Sequence, residues 1–168
     1  MRLLGLDPGL RTTGWGVIDV SDNRLRWVAD GIVCSDGDLS LAERLAQLHR
    51  GILEVVALHA PGEAAVEETF VNQNPASTLK LGQARGAVLL AASLSGLAVA
   101  EYAPRQVKQA LVGSGRAAKE QVGMMVRQLL PGCQSRQTDS TDALAVAICH
   151  AHYRGTARRV QAALERAP

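Results

Sequence analysis

The sequence predicts one α/β domain built on a mixed five-stranded sheet with helices on its faces. Its 168 residues fall within the usual size of a single domain, and no repeat, low-complexity tract or linker divides them. Three short apolar runs joined by brief polar turns open the chain, before any helical pattern. Amphipathic stretches then alternate with short apolar runs, an arrangement typical of β-α-β crossovers.

The opening runs, residues 2–6, 14–20 and 25–33, are the first three predicted strands. Because the links between them are short, we expect neighbouring strands to be antiparallel. Residues 39–60 then place apolar side chains at helical spacing, and residues 64–68 form a brief fourth strand.

The second half of the chain continues this alternation. Asn74 is positioned to cap a long helix that has Pro75 in its first turn and runs to about Leu94. Residues 97–103 are the fifth predicted strand. Three more helical segments follow: one that opens at Pro104, one after Gly115 that runs to about Leu130, and one from Thr138 to about Tyr153.

We therefore expect residues 1–153 to form the folded domain and residues 154–168 a loose C-terminal tail. Antiparallel hairpins followed by crossovers are also the chain order of the ribonuclease-H-like fold. At this level the likeness is an analogy between orders of elements, and it carries no chemistry.

Composition narrows the class of protein. Hydrophobic residues make up 47% of the chain and charged residues 20%, whereas aromatics are only 3%, so the core must be aliphatic. The longest apolar stretch, residues 87–100, is shorter than the ~20 residues that a membrane span requires. The N-terminus lacks the pattern of a secretory peptide. Three cysteines without CxxC spacing favour reduced thiols in a cytoplasmic protein and argue against zinc.

Charge is distributed unevenly along the chain. Residues 1–79 carry 6 Lys+Arg against 11 Asp+Glu, a net of −5, and residues 80–168 carry 12 against 5, a net of +7. An acidic and a basic half within one domain suggest a polyanionic partner held beside a cation-binding site. Folding could equally interleave these charges into a mixed surface.

Carboxylates lie at the ends of three elements that are distant in the sequence. Asp7 ends the first strand, Glu67 or Glu68 ends the fourth, and Asp139 and Asp142 open the last helix on one face. Carboxylates that converge must take up protons or hold a cation, and an all-oxygen ligand set selects Mg²⁺ or Mn²⁺. Two such ions about 4 Å apart can clamp a phosphodiester during in-line attack by water.

Each acid also has a purely structural explanation. Asp7 starts an Asp-Pro-Gly turn, Asp139 could cap its helix, and Asp142 could complement the helix dipole. Glu67 and Glu68 are adjacent, so a strand points them to opposite faces, and spacing leaves open which one belongs to the site. The functional argument therefore depends on the set of acids taken together.

Several other residues could contact nucleic acid. Phe70, the only phenylalanine, follows the glutamate strand and is either a core residue or a ring that stacks on bases. All three lysines, Lys80, Lys108 and Lys119, lie in the basic half, where they are either solvated charges or phosphate contacts. We also expect Arg85 and Arg116 to contact DNA.

Five stretches give the sequence a close resemblance to the RuvC family of bacterial Holliday-junction resolvases, over roughly residues 1–153. They are Leu4-Gly5-Leu6-Asp7-Pro8-Gly9 with Thr13-Gly14-Trp15-Gly16-Val17; Val66-Glu67-Glu68-Thr69-Phe70; Leu79-Lys80-Leu81-Gly82-Gln83-Ala84-Arg85-Gly86; Arg105-Gln106-Val107-Lys108-Gln109; and Asp139-Ser140-Thr141-Asp142-Ala143-Leu144-Ala145. Five such stretches in the right order are far more specific than any one of them.

The resemblance implies a ribonuclease-H-like fold and a homodimer that nicks four-way DNA junctions in recombination and repair. It assigns metal binding to Asp7, Glu67, Asp139 and Asp142, and so selects Glu67 over Glu68. It further implies that Phe70 acts near the junction crossover and that Lys108 and Lys119 serve DNA binding and catalysis. Asp139 stands where some relatives carry His, so we expect an all-carboxylate site.

The mechanism we predict combines both arguments. Two Mg²⁺ ions, for which Mn²⁺ could substitute, activate water for in-line attack and leave 5′-phosphate and 3′-hydroxyl ends. A two-fold dimer would place paired nicks symmetrically on opposing strands. The resemblance also suggests association with the RuvA–RuvB branch-migration complex.

Three alternatives remain open on the sequence. A related nuclease could act on RNA–DNA hybrids or flaps instead of junctions. The Gly5-Leu6-Asp7 opening loosely resembles that of actin-like and sugar-kinase ATPases, although those proteins need two such domains. A catalytically silent junction-binding module is the third alternative.

Overall fold

The protein is described by a computed structural model covering residues 1–22, 24–69, 74–135 and 137–164, with side chains as far as residue 156. Five strands and five helices occur in the described ranges. In chain order they are β1 (Arg2–Asp7), β2 (Thr12–Ser21), β3 (Arg24–Cys34), α1 (Leu41–His59), β4 (Glu63–Glu67), α2 (Pro75–Leu94), β5 (Ala98–Tyr102), α3 (Pro104–Val112), α4 (Lys119–Leu129) and α5 (Thr138–Leu164). The predicted order of elements is confirmed.

The strands form one mixed sheet in the order β3-β2-β1-β4-β5. The first three are antiparallel neighbours, as their short links predict, and β4 and β5 join in parallel. In the β1–β4 register Leu6 pairs with Val66, so the next residues, Asp7 and Glu67, end adjacent parallel strands at the same edge of the sheet. The sheet thereby brings together the first two predicted acids.

Two hydrophobic clusters cover the two faces of the sheet. Alternation along β4 separates them: Ala65 packs with α3, α4 and α5, whereas Ala64 and Val66 pack with α1 and α2. Aliphatic side chains dominate both clusters, as the low aromatic content predicts. Within the described ranges no helix is both long and apolar enough to cross a bilayer.

The helices begin where local chemistry satisfies their first backbone N–H groups. Ser40 and Glu43 form a reciprocal capping box at α1, with Ser40 N donating to Glu43 Oε2 at 3.0 Å. Asn74 Oδ1 accepts from the Ser77 N–H at α2, which confirms the predicted cap, and Pro75 follows it.

The last helix is longer than predicted. We expected it to end near Tyr153 and residues 154–168 to be loose, but α5 continues to Leu164. Arg154, the first residue of the predicted tail, donates from Nε to both carboxylate oxygens of Glu63 at 2.8 and 2.9 Å. The spacing of apolar residues did not predict this extension, because the contact that stabilises it joins α5 to a strand residue 91 positions away.

Candidate active site

The candidate site lies where β1 and β4 end and α5 begins. Asp7 and Glu67 come from the two strands, and Asp139 and Asp142 from the first turns of α5. The α5 backbone lies directly on the sheet there, since a Cβ on Gly14 would overlap the Asp139 carbonyl. Glycine in β2 thus allows the approach that brings all four predicted acids together.

Asp7 has the most perturbed carboxyl group of the site. Burial, followed by the charges of Glu67, Asp142 and Asp139, raises the pKa of Asp7 to about 8. Asp7 also shares a side-chain hydrogen bond with Glu67. Without a cation, the pair is therefore stable when Asp7 carries a proton and Glu67 accepts from it.

The pKa of Glu67 is raised as well, chiefly by burial and then by the charge of Asp142. The Asp7 hydrogen bond and the cations Lys119 and Lys108 oppose that rise. Two of the three lysines that were predicted to contact phosphates therefore lie close enough to the acids to lower the pKa of Glu67.

Lys119, the first residue of α4, makes the direct contact. Its Nζ donates to Asp142 Oδ2 at 3.0 Å, and this bond raises the pKa of the ammonium group. The Lys119 side chain is 69% exposed while that of Asp142 is 21% exposed, so the cation covers the acid from the solvent side.

The acids fit a hard divalent cation by the chemistry of their donors. Four carboxylates supply oxygen ligands only, the set that Mg²⁺ and Mn²⁺ prefer. In the described part of the chain no three of them are already arranged around a single ion position. Their side chains interact in pairs instead, Asp7 with Glu67 and Asp142 with Lys119. A cation would replace the shared proton and the lysine contact as the compensating charge.

The structure distinguishes Glu67 from Glu68. Glu67 faces Asp7 and Asp142, whereas Glu68 lies just past the end of β4 and its backbone N–H donates to the Tyr102 carbonyl at 2.9 Å. Asp139 is inside the first turn of α5, which opens at Thr138, so it is not the cap residue.

The predicted DNA contacts have mixed surroundings. Lys80 and Arg116 are exposed, and Lys108 is half-buried near the acids. Arg85 forms an ion pair with Glu101 and donates from Nε to the Glu67 carbonyl at 3.3 Å, so in this chain it braces the end of β4. Phe70 lies outside the described residues.

Sequence reasoning missed a groove beside the acids. It has a volume of about 740 Å³ and lies between α4 and the start of α5, with Lys119 and Asp142 among its lining residues. Arg127 and the exposed Met124 line its α4 side, and Gln137 lies on the opposite side. No local pattern signals it, because its walls come from two elements brought together only by the fold.

A family model matches most of the sequence: the model for crossover junction endodeoxyribonuclease RuvC covers residues 3–150. This chain belongs to the RuvC family. The RuvC of Paramagnetospirillum magneticum is 67% identical over 166 residues, covering 99% of this chain and 100% of that protein. The RuvC of Rhodospirillum rubrum is 69% identical over 157 residues, covering 94% and 93%.

Solved RuvC structures share the fold. The T. thermophilus RuvC in complex with Holliday junction substrate aligns with a TM-score of 0.87 at 39% identity, covering 94% of this chain and 96% of that one. Together these likenesses confirm the ribonuclease-H-like fold and make the chain a nuclease of the RuvC family.

Proposed function

We propose that this chain resolves Holliday junctions by metal-dependent, symmetric nicking of two opposing DNA strands. The observation that carries the proposal is the convergence of Asp7, Glu67, Asp139 and Asp142 beside Lys119 in a RuvC-family chain. The likeness to a RuvC that was solved with a Holliday junction supports the choice of substrate.

The four acids are the proposed ligands of two Mg²⁺ ions. When bound, the ions supply charge stabilisation at the phosphate and lower the pKa of the attacking water. Burial is the largest cause that raises the pKa values of Asp7 and Glu67, and the charge of Asp142 adds to it for both, so these side chains gain most from a cation. Lys119 offsets the charge of Asp142, and beside the acids its ammonium group would stabilise negative charge that develops on a bound phosphate.

DNA would be held by the basic half of the chain. Lys80 on α2 and Arg116 before α4 present exposed cations, and Lys108 lies close enough to Glu67 to lower the pKa of that acid. The groove along α4 has Arg127 and Asp142 in its lining and offers a path for the strand that leaves the scissile phosphate. Phosphate contacts of this kind carry affinity and little sequence information.

Helix α2 supports the proposed homodimer. Gly82 and Gly86 lie on one face of this helix, and a Cβ on either would meet no atom within 4 Å. Leu79 and Leu90 flank them on the same face and are 71% and 52% exposed. A second copy packed on this apolar face would pair two active sites about a two-fold axis. Leu90→Glu should convert the dimer to monomer in sedimentation experiments.

The test is a substrate comparison. A labelled four-way junction, the matching linear duplex and an RNA–DNA hybrid are incubated with Mg²⁺, with Mn²⁺ and with EDTA. We expect cation-dependent cleavage of the junction alone, and ligation of the products would show 5′-phosphate and 3′-hydroxyl ends. Cleavage of the hybrid instead would replace the substrate, and junction binding without cleavage in either metal would show a silent binding module.

We further propose a cytoplasmic location, a catalytic domain within residues 1–153 and association with a RuvA–RuvB branch-migration complex. The family resemblance supports all three. Co-sedimentation on junction DNA with purified RuvA and RuvB tests the association, which predicts one complex containing all three proteins.

A further inference from the structure

Strand β4 and helix α5 meet along two matched rows of side chains. On β4, Glu63, Ala65 and Glu67 alternate onto one face, and Ala65 packs in the same cluster as the core of α5. On α5, the row contains residues spaced four apart, which a helix stacks on one side. The row consists of Asp142, Val146, His150 and Arg154.

At the end of these rows that lies away from the four acids, polar side chains form a hydrogen-bonded cluster. Glu63 accepts from Arg154 Nε at 2.8 and 2.9 Å, and its Oε2 lies 3.0 Å from His150 Nε2. Tyr102 Oη lies 2.9 Å from His150 Nδ1. Since a carboxylate only accepts, the Nε2–H donates to Glu63, and neutral Nδ1 can accept from the Tyr102 hydroxyl. Every side chain in this cluster has a partner from another element.

His150 is suited to a fixed neutral role. Its side chain is buried, and burial lowers its pKa despite the carboxylate beside it. By contrast His152, two residues later on the same helix, is exposed and contacts the Ala110 carbonyl of α3 at 3.2 Å. Only the first of the two histidines connects α5 to the sheet.

The spans of the two rows agree. From Asp142 to His150 the helix rises about 12 Å at 1.5 Å per residue. From Glu67 back to Glu63 the strand covers about 13 Å at 3.3 Å per residue. The Glu63–His150 contact at one end and the Glu67–Asp142 proximity at the other are therefore satisfied by the same placement of α5 along β4. Close contact at Gly5 and Gly14 sets how deeply α5 sits on the sheet.

We propose that Glu63 and His150 are positioning residues of the nuclease: their contact sets where α5 stands along β4, and so holds Asp139 and Asp142 in register with Asp7 and Glu67. The inference rests on the proposed function for its catalytic consequence. A slip of one residue would move Asp142 by about 1.5 Å along the helix axis. Displacements of about 1 Å at reacting groups can reduce rates by about 100-fold.

The test compares His150→Gln with the matched control His152→Gln in the full-length protein. We measure kcat and KM on a labelled junction, junction affinity in EDTA, and Mn²⁺ binding without DNA by electron paramagnetic resonance. For His150→Gln we expect kcat to fall by about 10- to 100-fold. Its KM and junction affinity should stay within about two-fold, and Mn²⁺ binding should weaken by about five-fold or more. The His152→Gln variant should match the wild type in all four.

Tyr102→Phe covers the case in which His150→Gln does not fold. It removes only the hydroxyl that fixes His150 Nδ1 and keeps the ring that stacks on Tyr153 at 5.3 Å. We expect the same pattern with a smaller loss of kcat. Wild-type Mn²⁺ binding and kcat in folded variants would overturn the proposal, as would losses matched by His152→Gln. If the wild type binds Mn²⁺ but cleaves no junction, the proposed function fails while the metal-binding comparison still decides the positioning role.

Discussion

Lys119 Nζ donates to Asp142 Oδ2 at 3.0 Å, which joins the first residue of α4 to the acid on α5. This contact places a cation at the solvent side of a cluster in which burial raises the pKa values of Asp7 and Glu67. The lysine therefore completes the site from an element that carries none of the four carboxylates.

Replacing Lys119 should affect the reaction far more than the fold. An exposed ion pair contributes about 0–1 kcal/mol to stability, and this lysine is 69% exposed, so Lys119→Met should leave the melting temperature nearly unchanged. Loss of a charge-stabilising donor typically lowers kcat by about 100- to 1,000-fold. Single-turnover cleavage and thermal melting check both outcomes. A variant that melts early but cleaves at the wild-type rate would remove Lys119 from the mechanism.

Replacing the exposed cations Lys80 and Arg116 should affect DNA binding and leave the cleavage rate of bound junction nearly unchanged. Lys80→Met and Arg116→Met should each weaken junction binding. Each should also lower the slope of log affinity against log salt by about one, because the lost phosphate contact no longer displaces a counterion from the DNA. The cleavage rate of bound junction should stay near that of wild type. Binding titrations from low to physiological salt measure the slope, and an unchanged slope would show that the residue makes no phosphate contact.

Asp7 makes stability depend on pH in the absence of divalent cations. Burial and neighbouring carboxylates raise its pKa from 3.8 to about 8, so the folded chain binds this proton more tightly than the unfolded chain. The free energy of unfolding should therefore fall as pH rises from about 4 to about 8. Asp7→Asn should remove this decline, so melting in EDTA should show the variant gaining on the wild type toward pH 8. The same dependence of melting temperature on pH in both proteins would contradict the buried, carboxylate-rich environment assigned to Asp7.

Close contact between α5 and the sheet should make small substitutions costly. A Cβ on Gly5 would overlap the Ala143 carbonyl and lie 2.6 Å from the Ala147 nitrogen. Gly5→Ala should destabilise the fold by at least about 2 kcal/mol. Gly123→Ala on α4 is the matched control, because its Cβ would meet Arg127 Nη1 at 3.6 Å, an ordinary contact. There the higher helix propensity of alanine should stabilise by up to about 1 kcal/mol, as urea denaturation would show.

Local patterns predicted the order of elements, the cap at Asn74 and the acids at element ends, because these depend on neighbouring residues. Spacing alone left Glu67 and Glu68 open and the family resemblance selected Glu67, whereas the physical reason, the register of β4 against β1, depends on the fold. Local patterns also could not predict the Arg85–Glu101 ion pair or the Glu63–His150 contact, because both join different elements of the fold. The residues of the second contact are 87 positions apart. The extension of α5 to Leu164 likewise begins with the contact of Arg154 with Glu63 of β4, which the spacing of apolar residues does not indicate.

The most direct test of the account follows both strands of a synthetic four-way junction, each labelled separately, with wild type and Asp7→Asn in Mg²⁺ and in EDTA. We expect paired nicks at symmetric positions on opposing strands with wild type in Mg²⁺. We expect no nicks in EDTA, and a loss of at least about 100-fold in Asp7→Asn, which should still bind the junction. Cleavage that persists in Asp7→Asn or in EDTA would contradict the central claim that these acids form a metal-dependent nuclease site.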